Sequence, residues 1–441
     1  MFTLQGLLQQ LAPCRDAPAC WLGLSGGLDS MVLLDALVQL RRDHPLPPLK
    51  AIHVHHGLHT DADRWTEHCA RECAARDIPL HIERVQLPGG GSIEELARDA
   101  RYGVFERLLE TGDWLLLAHH ADDQLETLLF RLLRGTGLRG LAGMPSSRVL
   151  GAGQLLRPLL PWSRQQLADW ARHRQLNWID DPANADPRYA RTALRHELLP
   201  QLRQRWPSMP QNLLRLAEHA TEANELLDER AAEDLSLAGG GVIDDWLCCW
   251  PSLDMTILAT LTAARQKNLL RYWLHSHAIR LPDQRHLHSL MSQLGAARDG
   301  QPIVQLDGAQ LHRSSGRLWL LPAGGVPSGV DQPLAQLTDT RLTAGNGRLY
   351  LRPGAGIAIR EGVWRIGYRC GGEQIKLPGR PRQSLKDLFQ QAGIPVWLRP
   401  AIPLLYCDNQ LISVAGRWTA EGAAAGSSEA GFSVCWEPVL D

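Results

Sequence analysis

Between residues 18 and 120, short β-rich runs alternate with helical patterns, and no other feature of the chain restricts its fold as strongly. ACWLGLS, LKAIHVHH, LHIERVQL and DWLLLAHH read as strands, while residues 29–41, 61–77 and 92–110 read as helices. The third helix announces its start: Gly89, Gly90 and Gly91 break the chain, Ser92 can cap, and Glu95 follows three residues later. Strands separated by helices pair through crossovers, which makes a parallel sheet with helices on both faces. In such sheets ligands collect at the carboxyl ends of the strands. Chemistry is therefore expected in the segments that leave those ends.

The first strand runs straight into Ser25-Gly26-Gly27-Leu28-Asp29-Ser30 and the apolar run MVLLDALVQL. Paired glycines let the backbone turn sharply and approach a ligand, so that successive N–H groups and the helix N-terminus can face phosphate oxygens. Ser25 and Ser30 add hydroxyl donors. Neither GxxxxGK[ST] nor GxGxxG is present. By itself a glycine pair before a helix is an ordinary turn. Asp29 departs from that reading, because a carboxylate inside an anion site makes sense chiefly when a divalent cation stands between it and the phosphates. Asp29 is expected on a solvent-facing loop.

The fourth strand ends in Ala118-His119-His120-Ala121-Asp122-Asp123-Gln124-Leu125-Glu126-Thr127, which brings two histidines and three carboxylates to the same sheet edge. Asp123 and Glu126 lie three apart at a helix start, so their side chains can converge on one face. A preference of acidic residues for helix N-termini accounts for Asp122 and Asp123 but not for the histidines. A further group, His53, His55, His56 and His59, ends the second strand. His53 and His55 share a strand face, but no cysteine is near them in sequence, so hydrogen-bonded structural histidines are a simpler reading than zinc.

SGGLDS after the first strand resembles the signature of the ATP pyrophosphatase, or PP-loop, family. The pattern from His120 to Thr127, continuing through Arg134-Gly135-Thr136-Gly137 and Gly140-Leu141-Ala142-Gly143-Met144, resembles the lysidine synthetase branch of that family. HVHHGL, ARDARY, RPLL, WIDDPAN and RTALRHELLP add to the likeness, as do GGEQIKLPGR, SLKDLFQQAGIPVWLR and IPLLY near the C-terminus. Thr192 stands where that branch usually carries Asn after Arg191.

The resemblance implies an enzyme that ligates free L-lysine to C2 of the wobble cytidine of a tRNA(Ile) with a CAU anticodon. ATP would be cleaved to AMP and pyrophosphate by way of an adenylated tRNA. It further implies that Ser25, Gly26, Gly27, Leu28, Asp29, Ser30 and His120 hold ATP, and that Asp29 and Asp123 hold magnesium (Mg2+). Asp29, Asp123 and Glu126 form the implied catalytic set, Glu126 serving the lysine amine. Arg101, Arg134, Arg191 and Arg195 are implied contacts to phosphates or tRNA. Rival readings are a tRNA thiolase, an amidating synthetase, or a noncatalytic tRNA-binding protein on the same scaffold. Thiolases of this type tend to carry CxxC pairs and amidating synthetases need an ammonia source, and neither signature is visible.

A chain of 441 residues calls for two or three domains. The expected class is α/β: a parallel-sheet PP-loop nucleotide-binding domain over 1–208, a mainly helical tRNA-binding middle domain over 209–325, and a small, basic, mixed α+β tRNA-binding domain over 350–438. Trp206-Pro207-Ser208-Met209-Pro210 marks the first boundary, because two prolines forbid a continuous helix. Residues 211–294 read as helices, 302–322 as a hairpin, and the Gly/Pro/Ser-containing stretch after it as a connection.

A net charge of −1 excludes a protein coated in positive potential, yet charge is segregated along the chain. Residues 188–215 hold six arginines against Glu197, and residues 360–399 hold eight Lys or Arg against Glu361, Glu373 and Asp387. Such stretches can present phosphate-binding faces or be solvated helix surfaces. Nine cysteines without a CxxC suit a reducing compartment, and Cys69 and Cys73 read as small buried side chains. No apolar run reaches membrane-spanning length and the first residues lack signal-peptide character, so the cytoplasm is expected. A homodimer is compatible with this reading.

Overall fold

The computed structural model describes residues 1–57, 60–86, 93–180, 190–241, 244–279, 303–425 and 430–438. His59, the cap at Ser92, the end of WIDDPAN, the helical reading of 280–294 and the side chain of Arg191 lie outside the described residues. The chain divides into two compact units, Met1–Glu225 and Leu226–Asp441.

The first unit is built on six strands: β1 (Cys20–Gly23), β2 (Leu49–His55), β3 (Leu80–Arg84), β4 (Trp114–Leu116), β5 (Ser147–Leu150) and β6 (Gly153–Leu156). Their order is β3-β2-β1-β4-β6-β5, parallel throughout except for the β5–β6 hairpin. From β1 the chain moves outward to β2 and β3 and then returns to β4 on the other flank of β1. Strand order thus reverses between β1 and β4, and the segments leaving these two strands diverge to open a crevice. The glycine-rich segment follows β1, and His119 and His120 follow β4.

Helices α1 (Leu4–Gln10), α2 (Leu28–Asp43), α3 (Ala62–Ala74), α4 (Ile93–Leu108), α5 (Ala121–Leu133), α6 (Leu138–Leu141) and α7 (Arg164–His173) belong to this unit. Ten of the sixteen residues of α2 are buried, which is why MVLLDALVQL is apolar all round rather than striped. Buried Asp35 is satisfied by Gln39 Nε2 at 2.6 Å and by Trp170 Nε1 at 3.1 Å, fixing α2 against α7. A Ser163–Gln166 capping box opens α7. Beyond α8 (Ala190–Ala193), residues Leu194–Leu198 form a π-helical turn that runs into α9 (Leu199–Arg205). Trp206 then adopts φ −133°, ψ 82°, the extended geometry that a following proline favours, before α10 (Met209–Ala238) begins.

In the second unit β7 (Ser252–Asp254) joins β8 (Ile303–Leu306), β9 (Ala309–Ser314) and β10 (Arg317–Pro322) in a sheet of order β7-β10-β9-β8. The expected single hairpin is therefore a three-strand meander, because both Asp307-Gly308 and Ser315-Gly316 turn the chain. Ser315 and Gly316 both have positive φ, as a two-residue hairpin turn requires. Trp273 of α12 (Ala263–Ser276), which follows α11 (Met255–Thr260), packs in one core with Leu253, Leu311 and Leu318. Antiparallel strands from β11 (Gln332–Leu334) onward surround a second core that includes Ile366, Phe389, Leu404 and Val414. Among the described residues no helix is long and apolar enough to cross a membrane.

Candidate active site

Gly26 has φ +82°, which L side chains rarely adopt, and a Cβ there would lie 3.1 Å from both Cys69 Sγ and Ile179 Cδ1. The Ile179 N–H also donates to Gly26 O at 2.9 Å, so the turn is clamped from outside. Gly27 caps α2 with extended geometry and no side-chain acceptor, which leaves first-turn N–H groups of α2 without a side-chain cap. Ser30 Oγ donates to Gly27 O at 2.9 Å and sits 3.1 Å from Ser25 Oγ. Gly26→Ala should raise the Michaelis constant for ATP several-fold and lower stability by about 1–3 kcal/mol, the usual cost of a strained backbone position. Wild-type ATP kinetics in a variant with an unshifted melting temperature would overturn this.

Asp29 is not on a solvent-facing loop. Helix α2 already starts at Leu28, so Asp29 occupies its first turn with its side chain 29% exposed and Oδ1 buried without a hydrogen-bond partner. Its Oδ2 lies 3.6 Å from His120 Nε2, and Asp123 Oδ2 lies 3.5 Å from that same nitrogen. The two carboxylates assigned to the nucleotide site thus meet across one imidazole.

His120 is 2% exposed and is itself the N-cap of α5. Its Nδ1 accepts from the Asp123 N–H at 3.3 Å, while Asp123 Oδ2 accepts from the His120 N–H at 3.0 Å. The helix dipole explains acidic residues at this position; the reciprocal cap adds that a histidine takes the place usually filled by Ser or Thr. Burial alone would depress His120, but the contact with Asp29 and the charges of Asp123, Asp29 and Asp122 hold it above its ordinary value. Burial pushes Asp123 up, against the opposing pull of His120.

Glu126 is 4% exposed and held by two hydrogen bonds from Arg195, Nε to Oε1 at 2.6 Å and Nη2 to Oε2 at 3.0 Å. Arg195 Nη2 also reaches Asp123 Oδ1 at 3.4 Å. Burial raises Glu126 above the usual carboxylate range even though Arg195 opposes the shift. Arg195 projects from the π-helical turn, an irregularity often found at functional sites. The structure thus brings Arg195 onto carboxylates. Asp122 Oδ2 lies 3.9 Å from His120 Nδ1, but its hydrogen bonds go elsewhere: it accepts from the Arg164 N–H at 2.7 Å and pairs with Arg203, an arrangement the sequence did not signal.

The second histidine group is only partly tied down, since His55 Nε2 and His56 Nδ1 are buried without hydrogen-bond partners. His53 Nδ1 lies 2.8 Å from Leu24 O and His55 Nε2 lies 3.3 Å from Asp63. Burial lowers His53 and takes His56 down to about 4, so both rings are neutral near pH 7. Arg101 is half-buried, and its charge adds to the burial that depresses His56 and His119. Arg134 is exposed, its guanidinium 4.0 Å from the Phe130 ring centroid. Neither Arg101 nor Arg134 joins the Asp29–His120–Glu126 group, and Thr192 is buried. Cys69, read from the sequence as a small buried side chain, is fully buried, with Sγ packed 3.5 Å from His53 Nδ1 beneath Gly26; burial and then Cys73 push its thiol up to about 12.

A sheet whose order reverses at β1 and β4, an uncapped glycine turn leading into α2, and paired carboxylates across the crevice define an ATP-binding domain of the PP-loop class. The PP-loop domain family matches residues 3–202. The TilS substrate binding domain matches residues 253–319 and the TilS substrate C-terminal domain matches residues 364–436. A tRNA(Ile)-lysidine synthase of Pseudomonas putida is 47% identical over 419 residues, covering 92% of this chain and 94% of that protein. One from Pseudomonas aeruginosa is 46% identical over 438 residues, covering 98% and 96%, and one from Coxiella burnetii is 37% identical over 447 residues, covering 99% and 97%. The chain belongs to the tRNA(Ile)-lysidine synthase family.

Proposed function

We propose that the protein ligates free L-lysine to C2 of the wobble cytidine of a tRNA(Ile) with a CAU anticodon, consuming ATP. The observation that carries the reading is the meeting of Asp29, Asp123 and Glu126 around His120 and Arg195, beside the glycine turn. In the first step the cytosine O2 attacks the α-phosphorus of ATP; a P–O bond forms, the bond to the bridging oxygen breaks, and pyrophosphate leaves. In the second the lysine ε-nitrogen attacks C2, the C2–O bond breaks, and AMP leaves.

The residues have distinct duties in this scheme. Backbone N–H groups of the Ser25–Ser30 turn and the start of α2 face the triphosphate. Asp29 would hold a hard divalent cation such as Mg2+, because its Oδ1 is a buried oxygen with no partner, and Asp123 would join it by exchanging its contact with Arg195 for the cation. Such a cation, when bound, neutralises charge that accumulates on the phosphates. Glu126 takes a proton from the lysine ammonium, which is no nucleophile until deprotonated, and its burial-raised affinity for protons suits that duty. Arg195 positions Glu126 through its two hydrogen bonds.

Mass analysis of the anticodon nucleoside after incubating CAU-anticodon tRNA with the protein, ATP and lysine tests the reading. A lysine-bearing cytidine is expected. Unmodified cytidine alongside released pyrophosphate would overturn it. A thiolase reading has less support, since burial pushes Cys69 up to about 12 and Cys73 up to about 11, leaving no reactive thiolate beside the turn.

Chemistry within 1–208 and RNA binding within 209–325 and 350–438 complete the proposal. Arg380 and Arg382 are exposed, and Lys376, by contrast, is tied to Glu421 at 2.5 Å. Arg380→Ala with Arg382→Ala should raise the tRNA Michaelis constant and flatten the salt dependence by roughly two units of slope, one for each lost phosphate contact. ATP and lysine constants should hold. An unchanged tRNA constant and slope in the folded variant would assign both residues to a bare surface.

A further inference from the structure

A cavity of about 380 Å3 lies on the first unit beside the C-terminal half of α5. Its lining includes Arg98 of α4, Thr127, Phe130 and Arg131 of α5, Arg134 that caps α5, and Thr136 of the following loop; among the described residues no carboxylate lines it. The volume falls in the range of pockets that hold a small molecule or a single nucleotide. Thr127, Phe130, Arg131 and Arg134 form one stripe of the helix, and Thr127 directly follows Glu126. At a rise of about 1.5 Å per residue, Arg131 and Arg134 lie roughly 8 and 12 Å along the axis from Glu126.

Basic residues in a last helical turn are commonly explained by the helix dipole, and that accounts for Arg131 and Arg134 alone. It does not account for the wall behind Arg98. There the Arg98 and Arg148 guanidiniums lie 4.9 and 5.1 Å from the same Tyr102 ring centroid. The Arg157 and Arg98 charges also act on His119 and on one another. Clustered guanidiniums repel one another, a cost that a bound anion offsets. Arg131 is already committed, donating to Gly140 O at 3.2 Å and Gly143 O at 2.7 Å, and so shapes the loop. Arg98 and Arg134 instead lie over aromatic rings, which leaves their N–H edges for a ligand. A guanidinium stacked on Phe130 also offers a flat face to a splayed base.

We infer that this cavity seats a nucleotide of the RNA substrate next to the reacting cytidine, its phosphate taken by Arg98 and Arg134 and its base lying on the Arg134 plane. The inference rests on the reading that RNA is the substrate. Phosphate contacts of this kind set register without reading sequence, and so hold the reacting base over Glu126. The triphosphate is left to the glycine turn.

Arg98→Ala with Arg134→Ala tests it in the full-length protein, with Arg131 kept because it ties the loop. Expected results are a tRNA Michaelis constant raised about tenfold or more and a salt dependence of RNA binding flatter by roughly two units. ATP and lysine constants should stay within about twofold. The Arg98→Lys, Arg134→Lys pair keeps the charge and should recover part of the affinity. Unchanged RNA binding in a folded Ala pair overturns the inference. A selective rise in the ATP constant would assign the cavity to the nucleotide, and a selective rise in the lysine constant would assign it to the amino-acid carboxylate; either also overturns it. Anisotropy of a labelled anticodon stem-loop reads RNA binding without turnover. If the wild-type protein binds that RNA but transfers no lysine, the proposed reaction fails while this result still decides the cavity.

Discussion

Asp29→Ala should lower pyrophosphate release from ATP, with CAU-anticodon tRNA present, by about 10²–10³-fold, the typical loss when a group that stabilises transition-state charge is removed. The fold should survive. Asp29 Oδ1 is buried without a hydrogen-bond partner, so truncation removes an unsatisfied group, and the melting temperature should hold or rise. Asp29→Asn provides a stricter control, since it keeps the shape and removes the charge; it should be as inactive as the alanine variant if the carboxylate binds a cation. Near-normal pyrophosphate release from either folded variant would remove Asp29 from the nucleotide site.

Glu126→Gln should divide the reaction in two. The amide oxygen can accept one of the two Arg195 hydrogen bonds while the amide NH2 meets the other Arg195 N–H as a second donor, so the pair is weakened but the shape is kept, and the group can no longer take a proton. Adenylation of tRNA is expected within about threefold of wild type, while lysine transfer falls by about 10²-fold or more, the range for a lost general base. Adenylated tRNA should therefore accumulate and be visible by mass analysis of the RNA. Equal loss of both half-reactions would place Glu126 in the nucleotide site instead. An Arg195→Ala variant is less informative, because it strips the partner from a buried carboxylate and so disturbs stability as well as chemistry.

The site combines groups whose environments push them in opposite directions. Against burial, the contact with Asp29 and the charges of Asp123, Asp29 and Asp122 hold His120 above its ordinary value, while His119, the residue before it, is driven well below its ordinary value by burial and by Arg157, Arg101 and Arg98. The two histidines beyond β4 thus place one imidazole among carboxylates and the other among guanidiniums.

Much of the nucleotide-binding unit is legible in the sequence. The four β-rich runs are β1 to β4, and the alternation with helices requires the parallel sheet that they form. Gly26 and Gly27 point to a sharp turn, which Gly26 makes at positive φ, and the three-residue spacing of Asp123 and Glu126 places both on one face, where Arg195 touches both. These inferences succeed because they depend on backbone sterics and on short helical or strand periods, which a local sequence carries in full. The β5–β6 hairpin and the meander through β8, β9 and β10 are less visible, since short strands leave little periodicity to read.

What the sequence by itself determined was the class of fold, the glycine turn, and the identities of Asp29, His120, Asp123 and Glu126 as a group worth testing. Only the tertiary structure decided how they are used. Sequence could not tell that strand order reverses between β1 and β4, that Arg195 would cross 69 residues of chain to clamp Glu126, or that Arg98 and Arg134 would line one cavity. It could not tell either that Asp29 would be left with an unpartnered oxygen. These are properties of long-range packing, in which burial sets each charge's cost and the chain's return path sets its neighbours. Neither quantity is encoded within the few residues around a motif.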